Sequence, residues 1–314
     1  MKILYLCNKK TYDTKMSRVR FHSMGAIESI STLTYSGLGW GNYNENLTAQ
    51  ENIDLIYSGD APDLVIGYKP LELNGFASIK AKKCIRYNEM WDKRWTKKEI
   101  LGSDPDVIVC HHKNDMESYQ EFGDKLINIS HCAESSIYRD YGLEKEYDIL
   151  FTGAVSRHYP FRRRLKGLLP KLQGHAKCKV LGHPGGNLNS SKGLILEDYA
   201  KLINKSKITL TCSSKYRYRL GKYVEIPMCG SVLAGDLPDE DHDFFKKFML
   251  VVDQKMSDNE IVKKILDCLS DHESLRKKAE RGIELNKDFT QMEYAKRFVN
   301  LVEEKIKKKE QNDE

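Results

Sequence analysis

The sequence predicts an α/β protein of two Rossmann-like domains facing a cleft, with a C-terminal helix crossing back to the first domain. Short apolar strands alternate with helical patterns through most of the chain, the rhythm of parallel sheets covered by helices. The 314 residues are enough for two domains, each with its own core. Charge is unevenly spread: from Ile149 to Val224 there are sixteen lysines and arginines against two acids, Glu197 and Asp198. The rest of the chain is net acidic, so one region is built to face an anion, and its cations follow strands instead of lining exposed helices.

The first half offers strands at Lys2–Cys7, Ser31–Tyr35, Leu64–Gly67, Lys83–Tyr87, Val107–Cys110 and Leu126–Ile129. Helical patterns stand between them at Met16–Ser29 and Asp115–Phe122. From Tyr138 to Glu146 the text turns polar and loses its period, which sets the domain boundary: residues 1–145 form the first domain, 146–290 the second, and 291–314 a returning helix. The second half reads as strand Tyr147–Gly153, basic helix Phe161–Leu172, strand Lys177–Gly182 and a Gly/Asn/Ser loop at His183–Lys192. Helix Glu197–Ser206, strand Ile208–Cys212, a short helix around Glu225, and strands Ser231–Ala234 and Phe248–Val252 follow. Ser257 precedes three polar residues including Glu260, the mark of an N-cap, and the chain is mostly helical from there, ending in Gln291–Lys309 and a frayed tail. Ligands of such sheets sit beyond the carboxyl ends of the strands.

Hydrophobic content of 40% and charged content of 31% describe a folded globular chain. There is no apolar run long enough to span a bilayer, and the apolar start Met1–Cys7 is too short for a secretory core, so it is read as a strand. Eight cysteines stand singly without C-x-x-C pairs, which points to buried free thiols and a cytoplasmic, reducing compartment. Cys110-His-His112 and His131-Cys-Ala-Glu134 lack the paired spacing of a zinc site, and the acidic run Asp239–Asp243 reads as a solvated loop, so no metal is expected. The lysines at the end of the chain could touch anionic lipid, at most a peripheral contact.

Three segments could carry chemistry. Strand Leu150–Gly153 runs into a loop with Arg157 and a helix opening at Pro160, a place where backbone N–H groups and the helix terminus attract phosphate. Only one or two of Arg162, Arg163 and Arg164 can face the ligand, because successive helical residues are about 100° apart. The Gly-rich Leu181–Gly186, with Gly182 at its start, reads either as part of a base-binding pocket or as a tight surface loop. Lys222–Asp236 carries one carboxylate, Glu225, in a short helix, just after the basic-aromatic run Lys215-Tyr-Arg-Tyr-Arg219. Cations for phosphates and an acceptor for ribose hydroxyls are what a nucleoside diphosphate requires, whereas a capping carboxylate is the structural alternative for Glu225.

These residues resemble the donor-binding half of GT-B glycosyltransferases, of the family-1/family-4-like group that includes spore-maturation-type proteins. The resemblance covers Tyr147–Asp236 and rests on Tyr159-Pro-Phe-Arg162, the helix-strand Tyr199–Leu210, and Lys222-Tyr-Val-Glu-Ile-Pro-Met-Cys-Gly-Ser-Val-Leu233. It implies Glu225 on the nucleotide ribose and Lys222 on the phosphates, with Arg157 or Arg162 as second cation and Gly153, Gly182, Lys215 and Tyr223 nearby. Family-4 enzymes usually carry another glutamate eight residues before this one; Arg217 stands there instead. In the first half, strands that end in polar residues imply an acceptor side with Asn88, His111 and His131. Glu89 is the catalytic candidate at the strand end where relatives have a histidine, beside Lys222 and Arg157. Trp40, in the loop Gly37–Tyr43, reads as a sugar-stacking residue of a flexible loop or as a tryptophan buried in a turn.

The implied activity is a hexosyl- or pentosyltransferase, retaining and metal-independent, that takes a nucleotide-diphosphate sugar and a glycan, lipid or protein-linked acceptor, with no required cofactor and no nucleic acid as partner. The oligomeric state stays open. A non-catalytic GT-B-like nucleotide or sugar binder is the first alternative. The second is a nucleic-acid protein with Tyr216–Arg219 as stacking platform, which accounts for the basic region but not for Glu225.

Overall fold

The computed structural model describes residues 1–14, 18–183 and 194–313. It divides into two compact units, one of Met1–Ser130 with Met292–Glu314 and one of His131–Gln291. The division falls at 130/131, earlier than the change of texture near residue 145 suggests. The polar segment belongs to the second unit because its few anchoring side chains reach that unit's core. Ala133 bridges to Thr290, Tyr138 is 4% exposed among the second unit's apolar residues, and Lys145 Nζ donates to the carbonyls of Asn204 (2.5 Å) and Gly230 (2.7 Å).

The first unit holds strands β1 (Lys2–Leu6), β2 (Thr32–Ser36), β3 (Leu64–Gly67), β4 (Lys82–Tyr87), β5 (Val107–Cys110) and β6 (Leu126–Asn128). They form one parallel sheet in the order β2-β1-β3-β4-β5-β6. β3 and β5 are buried at every position, as parallel strands covered on both faces must be. Helices α1 (Lys9–Thr14), α2 (Arg18–Glu28), α3 (Ala49–Tyr57), α4 (Lys93–Ser103) and α5 (Lys113–Ser118) connect them. The start of the expected Met16–Ser29 helix lies outside the described residues. α3 and α4 are additions to the sequence reading. α3 opens with a capping box in which Thr48 accepts from the Glu51 amide and the Glu51 carboxylate accepts from the Thr48 amide. α4 turns only Thr96, Glu99, Ile100 and Ser103 inward, too little apolar content to betray a helical period.

The second unit repeats the plan with β7 (Tyr147–Thr152), β8 (Cys178–Leu181), β9 (Ser206–Leu210), β10 (Val232–Gly235) and β11 (Leu250–Val251), in the parallel order β11-β10-β9-β7-β8. Its helices are α6 (Pro160–Gln173), α7 (Leu196–Asn204), α8 (Lys222–Met228), α9 (His242–Lys246), α10 (Asp258–Ser270) and α11 (His272–Asn286). β7 shows the period-2 logic: Leu150 joins Tyr199, Ile203, Tyr223 and Leu233 on one face, while Ile149 and Phe151 join Phe161, Leu165, Leu172 and Ile265 on the other. Ser257 caps α10, with its hydroxyl accepting from the Glu260 amide and the Glu260 carboxylate returning to the Ser257 amide.

α8 starts at Lys222 as expected, but Pro227 falls in its second turn and not its first. The helix is so short that the missing amide costs little. Cys229 and Gly230 close it with bonds to the Ile226 and Pro227 carbonyls, and the proline ring packs against Gly282 of α11, where an added Cβ would stand 3.0 Å from Pro227 Cβ. The last helix, α12 (Gln291–Asp313), continues past the expected end at Lys309 and packs within the first unit. Tyr294, Ala295, Phe298 and Val302 are its buried apolar residues among those described, and Arg86 Nε on β4 donates to the Tyr294 hydroxyl at 3.0 Å.

Candidate functional site

In the second sheet the connections run outward from β7 in both directions, so the carboxyl ends of β7 and β9 lie at a topological switch point, where open α/β sheets bind ligands. Arg162, in the first turn of α6, spans that point. Its Nη1 donates to the Ala154 carbonyl beyond β7 (3.1 Å), and its Nη2 to Thr211 Oγ1 and the Cys212 carbonyl beyond β9 (3.2 Å each). The guanidinium also lies 4.2 Å from the Tyr159 ring centroid. Arg162 is 2% exposed, yet it has no carboxylate partner among the described residues, and its buried Nε has no acceptor there. Taking a cation out of water this far is costly unless an anion compensates it.

The three adjacent arginines have three fates, as a 100° step requires. Arg162 enters the site. Arg163 remains exposed, donating to the Val155 carbonyl, and Arg164 pairs with Asp258 (2.8 Å) and ties down the entry to α10 through the Gln254 and Met256 carbonyls.

Lys222 is the second cation at this place. Its Nζ donates to the Tyr199 hydroxyl at 2.7 Å and stands 4.6 Å from that ring's centroid. Gly153, with φ +102°, keeps the space open: a Cβ there would fall 2.8 Å from Arg162 Nη1 and 3.2 Å from Lys222 Cε. His183 completes the group, its pKa held below the ordinary 6.5 by desolvation first and then by the charges of Lys222 and Arg162. Glu225 is half-buried one helical turn from Lys222, with Oε1 3.1 Å from where a Gly221 Cβ would stand. Burial, followed by the Glu225 charge, pushes both Tyr138 and Cys229 upward, and the Tyr138 ring meets Tyr199 edge-on at 6.4 Å. Lys222, Tyr199, Tyr138 and Glu225 are thus neighbours.

Other expected site residues lie elsewhere. Arg157 is exposed on its loop, without a bond to this group. Lys215 is also exposed, its Nζ over the Tyr216 ring at 5.0 Å. Tyr223 is fully buried beneath the site, donating to the Asp236 carbonyl at 2.5 Å; its inward position on α8 makes it a support and not a ligand contact. Gly182 is exposed at the end of β8, and Pro184–Gly186 of the Gly-rich motif lie outside the described residues.

The basic-aromatic run is neutralised from within. Arg217, in a left-handed backbone conformation with φ 60°, bonds Asp236 (2.9 Å) and Asp239 (3.0 Å), while Arg219 is 2% exposed beside Asp241 (3.5 Å) and the Phe289 ring. Tyr218 is buried and stacked on Tyr216. With Tyr218 buried the run is no exposed stacking platform for nucleic acid, and Asp236 together with Asp239 and Asp241 of the acidic loop supplies the counter-charges of Arg217 and Arg219. Among the described residues no cluster of three or more His, Cys, Asp or Glu could hold a metal ion.

In the first unit, Asn88 and Glu89 are half-buried just beyond β4, and His131 is half-buried at the first position of the second unit. His111 turns inward: it is 8% exposed, its Nδ1 is 2.7 Å from the Ile129 carbonyl oxygen, and its ring packs on Tyr294. Its ring packs on α12 instead of opening to solvent. Trp40 is half-buried, its Nε1 donating to the Cys7 carbonyl at 2.9 Å and its ring stacked on Tyr35 at 5.5 Å, and backbone bonds Trp40–Gly37 and Tyr43–Trp40 close turns in the Gly37–Tyr43 loop. Tyr199, Thr211, Tyr138 and His183 were not named as site residues from the sequence. Two of them had a visible signal: Tyr199 opens the helix-strand motif, and His183 stands inside the Gly-rich Leu181–Gly186 segment.

Comparison with known proteins bears on the fold. Residues 157–303 match the family described as glycosyl transferase-like. The chain has no match among curated protein sequences. Among solved structures it is similar to sucrose-phosphate synthase from Thermosynechococcus elongatus, with a TM-score of 0.65 at 10% identity, covering 96% of this chain and 98% of that one. It is also similar to Anabaena HepE in complex with UDP and glucose (TM-score 0.65, 9% identity, 97% and 100% covered). A third likeness is to an alpha-glucosyltransferase in complex with UDP-glucose and DNA containing an abasic site (TM-score 0.62, 11% identity, 98% and 99% covered). Residues 157–303 thus match the glycosyl transferase-like family, and the chain has the two-domain GT-B fold of the glycosyltransferases it resembles.

Proposed function

We propose that the protein transfers a sugar from a nucleotide-diphosphate sugar to a glycan or lipid-linked acceptor. The single observation that carries this reading is Arg162, a buried guanidinium at the switch point without a carboxylate partner among the described residues, with Lys222 beside it. Two cations so placed suit a diphosphate: charge-assisted bonds to its oxygens compensate the buried charge and stabilise the negative charge that develops as the sugar departs. Glu225 takes the ribose hydroxyls, one helical turn from Lys222. HepE, whose structure holds UDP and glucose, and the alpha-glucosyltransferase, whose structure holds UDP-glucose, support a uridine nucleotide as the first donor to try.

Glu89 of the first unit is proposed as the catalytic carboxylate, with Asn88 beside it and His131, the first residue of the second unit, on the acceptor side. Retention of anomeric configuration and activity without a metal complete the proposal and rest on the resemblance to family-4-like enzymes. Product NMR and assays in EDTA read them out.

Calorimetry with UDP and UDP-sugars tests the donor site. Lys222→Ala removes a charge-assisted bond worth about 2 kcal/mol, which weakens binding roughly thirtyfold, and Glu225→Gln weakens nucleoside diphosphates more than inorganic pyrophosphate. Unchanged affinity in both variants, or no binding of any nucleoside diphosphate by the parent chain, sinks the assignment.

A further inference from the structure

The first unit carries a surface that sugar transfer leaves unused, on α4 and the residues before it. The inward residues Thr96, Glu99, Ile100 and Ser103 lie on one side of the helix. At 100° per residue, Arg94, Lys98 and Leu101 project from the opposite side, Lys93 and Lys97 follow on one flank, and Trp95 lies on the other. Trp91 precedes the capping residue Asp92. Exposure is high for such apolar groups: 52% for Trp95, 71% for Leu101 and 37% for Trp91. Leu71, 37% exposed, extends the patch, since a Cβ on Gly102 would come within 2.8 Å of its Cδ2.

The exposed face of α4 itself is basic. Residues 93–98 contain Lys93, Arg94, Lys97 and Lys98 and no acid. Of the nearby carboxylates, Asp92 is engaged with the Trp95 amide, Glu99 is buried, Glu72 beside Leu71 pairs with Lys69, and Glu121 pairs with Lys97 and has its pKa lowered chiefly by that bond. Arg94 and Lys98 form no ion pair among the described residues.

We propose that this face is a peripheral docking surface for an anionic lipid bilayer. Charge complementarity selects the occupant: indoles favour the headgroup boundary, an exposed leucine gains by entering the acyl region, and flanking lysines and arginines meet anionic headgroups. A nucleic acid would use the cations and the rings but leave Leu101, the most exposed apolar side chain of the patch, in water. Contact at this face is peripheral, since among the described residues no helix is long and apolar enough to cross a membrane.

The test is co-sedimentation of the full chain with vesicles of phosphatidylcholine alone and of phosphatidylcholine mixed with phosphatidylglycerol. Binding to the mixed vesicles only, weakened by salt, is expected, with tryptophan emission shifted to the blue and quenched by brominated lipid. Arg94→Gln and Lys98→Gln each weaken binding roughly fivefold, and the pair Trp95→Ser and Leu101→Ser abolishes the spectral shift. All four side chains are exposed, so thermal melts of the variants should match the parent, and bromolipid quenching tests the parent without any substitution. Absence of binding to anionic vesicles, undiminished binding of the variants, or a lack of quenching overturns the proposal. So does a patch-dependent affinity for single-stranded RNA or an acidic protein without affinity for vesicles.

Discussion

Arg162, Arg163 and Arg164 show how much a single turn of helix decides. They are chemically identical, yet one is buried at the switch point, one is solvated, and one braces α10. Their tandem in the sequence announces a basic helix and nothing more. Which of them enters the site depends on the rotation of α6 about its axis, fixed by Phe161, Leu165, Leu168 and Leu172 packing on the sheet. His183 carries a prediction at this scale. Desolvation first, and then the cations beside it, favour its neutral form, so its pKa lies below 6.5 in the free protein. A bound diphosphate offsets those cations and raises the pKa, so binding takes up a proton. Affinity should therefore grow as pH falls through the bound-state pKa and level off below the free-state value. An NMR titration of the His183 ring with and without UDP reads both values; equal values in the two states would remove the histidine from the site.

At the scale of elements, the turn after β7 is what joins the two cations. Gly153 has φ +102°, a conformation that side chains rarely adopt, and its missing Cβ is the space that Arg162 and Lys222 share. Gly153→Ala should lower stability by about 1–2 kcal/mol through backbone strain and weaken nucleotide binding as well. Gly142→Ala makes the matched control: φ is +64° but no atom stands within 4 Å of the new Cβ, so stability falls while affinity holds. Paired melting and calorimetry separate the two effects, and equal loss of affinity in both variants would count against the shared space. The strand-Gly-turn was legible because glycine after an apolar run is a direct signal. α4 was not, because its buried face holds a threonine, a glutamate and a serine beside one isoleucine.

For the molecule as a whole, the chain leaves its first unit at Ser130 and comes back to it at Met292. Tyr294, Phe298 and Val302 are at most 1% exposed, and full burial of such side chains contributes about 1.5–3 kcal/mol each, a sum comparable to the net stability of an ordinary domain. Removing residues 292–314 should therefore abolish one of two calorimetric transitions, that of the first unit. The other transition should persist and still move upward with UDP. Two intact transitions in the shortened chain would show α12 to be dispensable.

The succession of strands along the chain, the fold class and the concentration of cations after β7 and β9 followed from local pattern, because parallel strands buried on both faces read as short apolar runs and glycines punctuate them, whereas the order of strands within each sheet did not. The family resemblance likewise needed only contiguous motifs. Folding alone decided the rest. It neutralised Arg217 and Arg219 with Asp236, Asp239 and Asp241, took His111 and Trp40 into packing, and left Arg157 in solvent. It also brought Arg162 to within reach of Thr211 and Lys222 to Tyr199, residues separated by 49 and 23 positions. A sequence gives the charges; whether each is paired, buried or exposed depends on distances that exist only once strands far apart in the chain lie side by side.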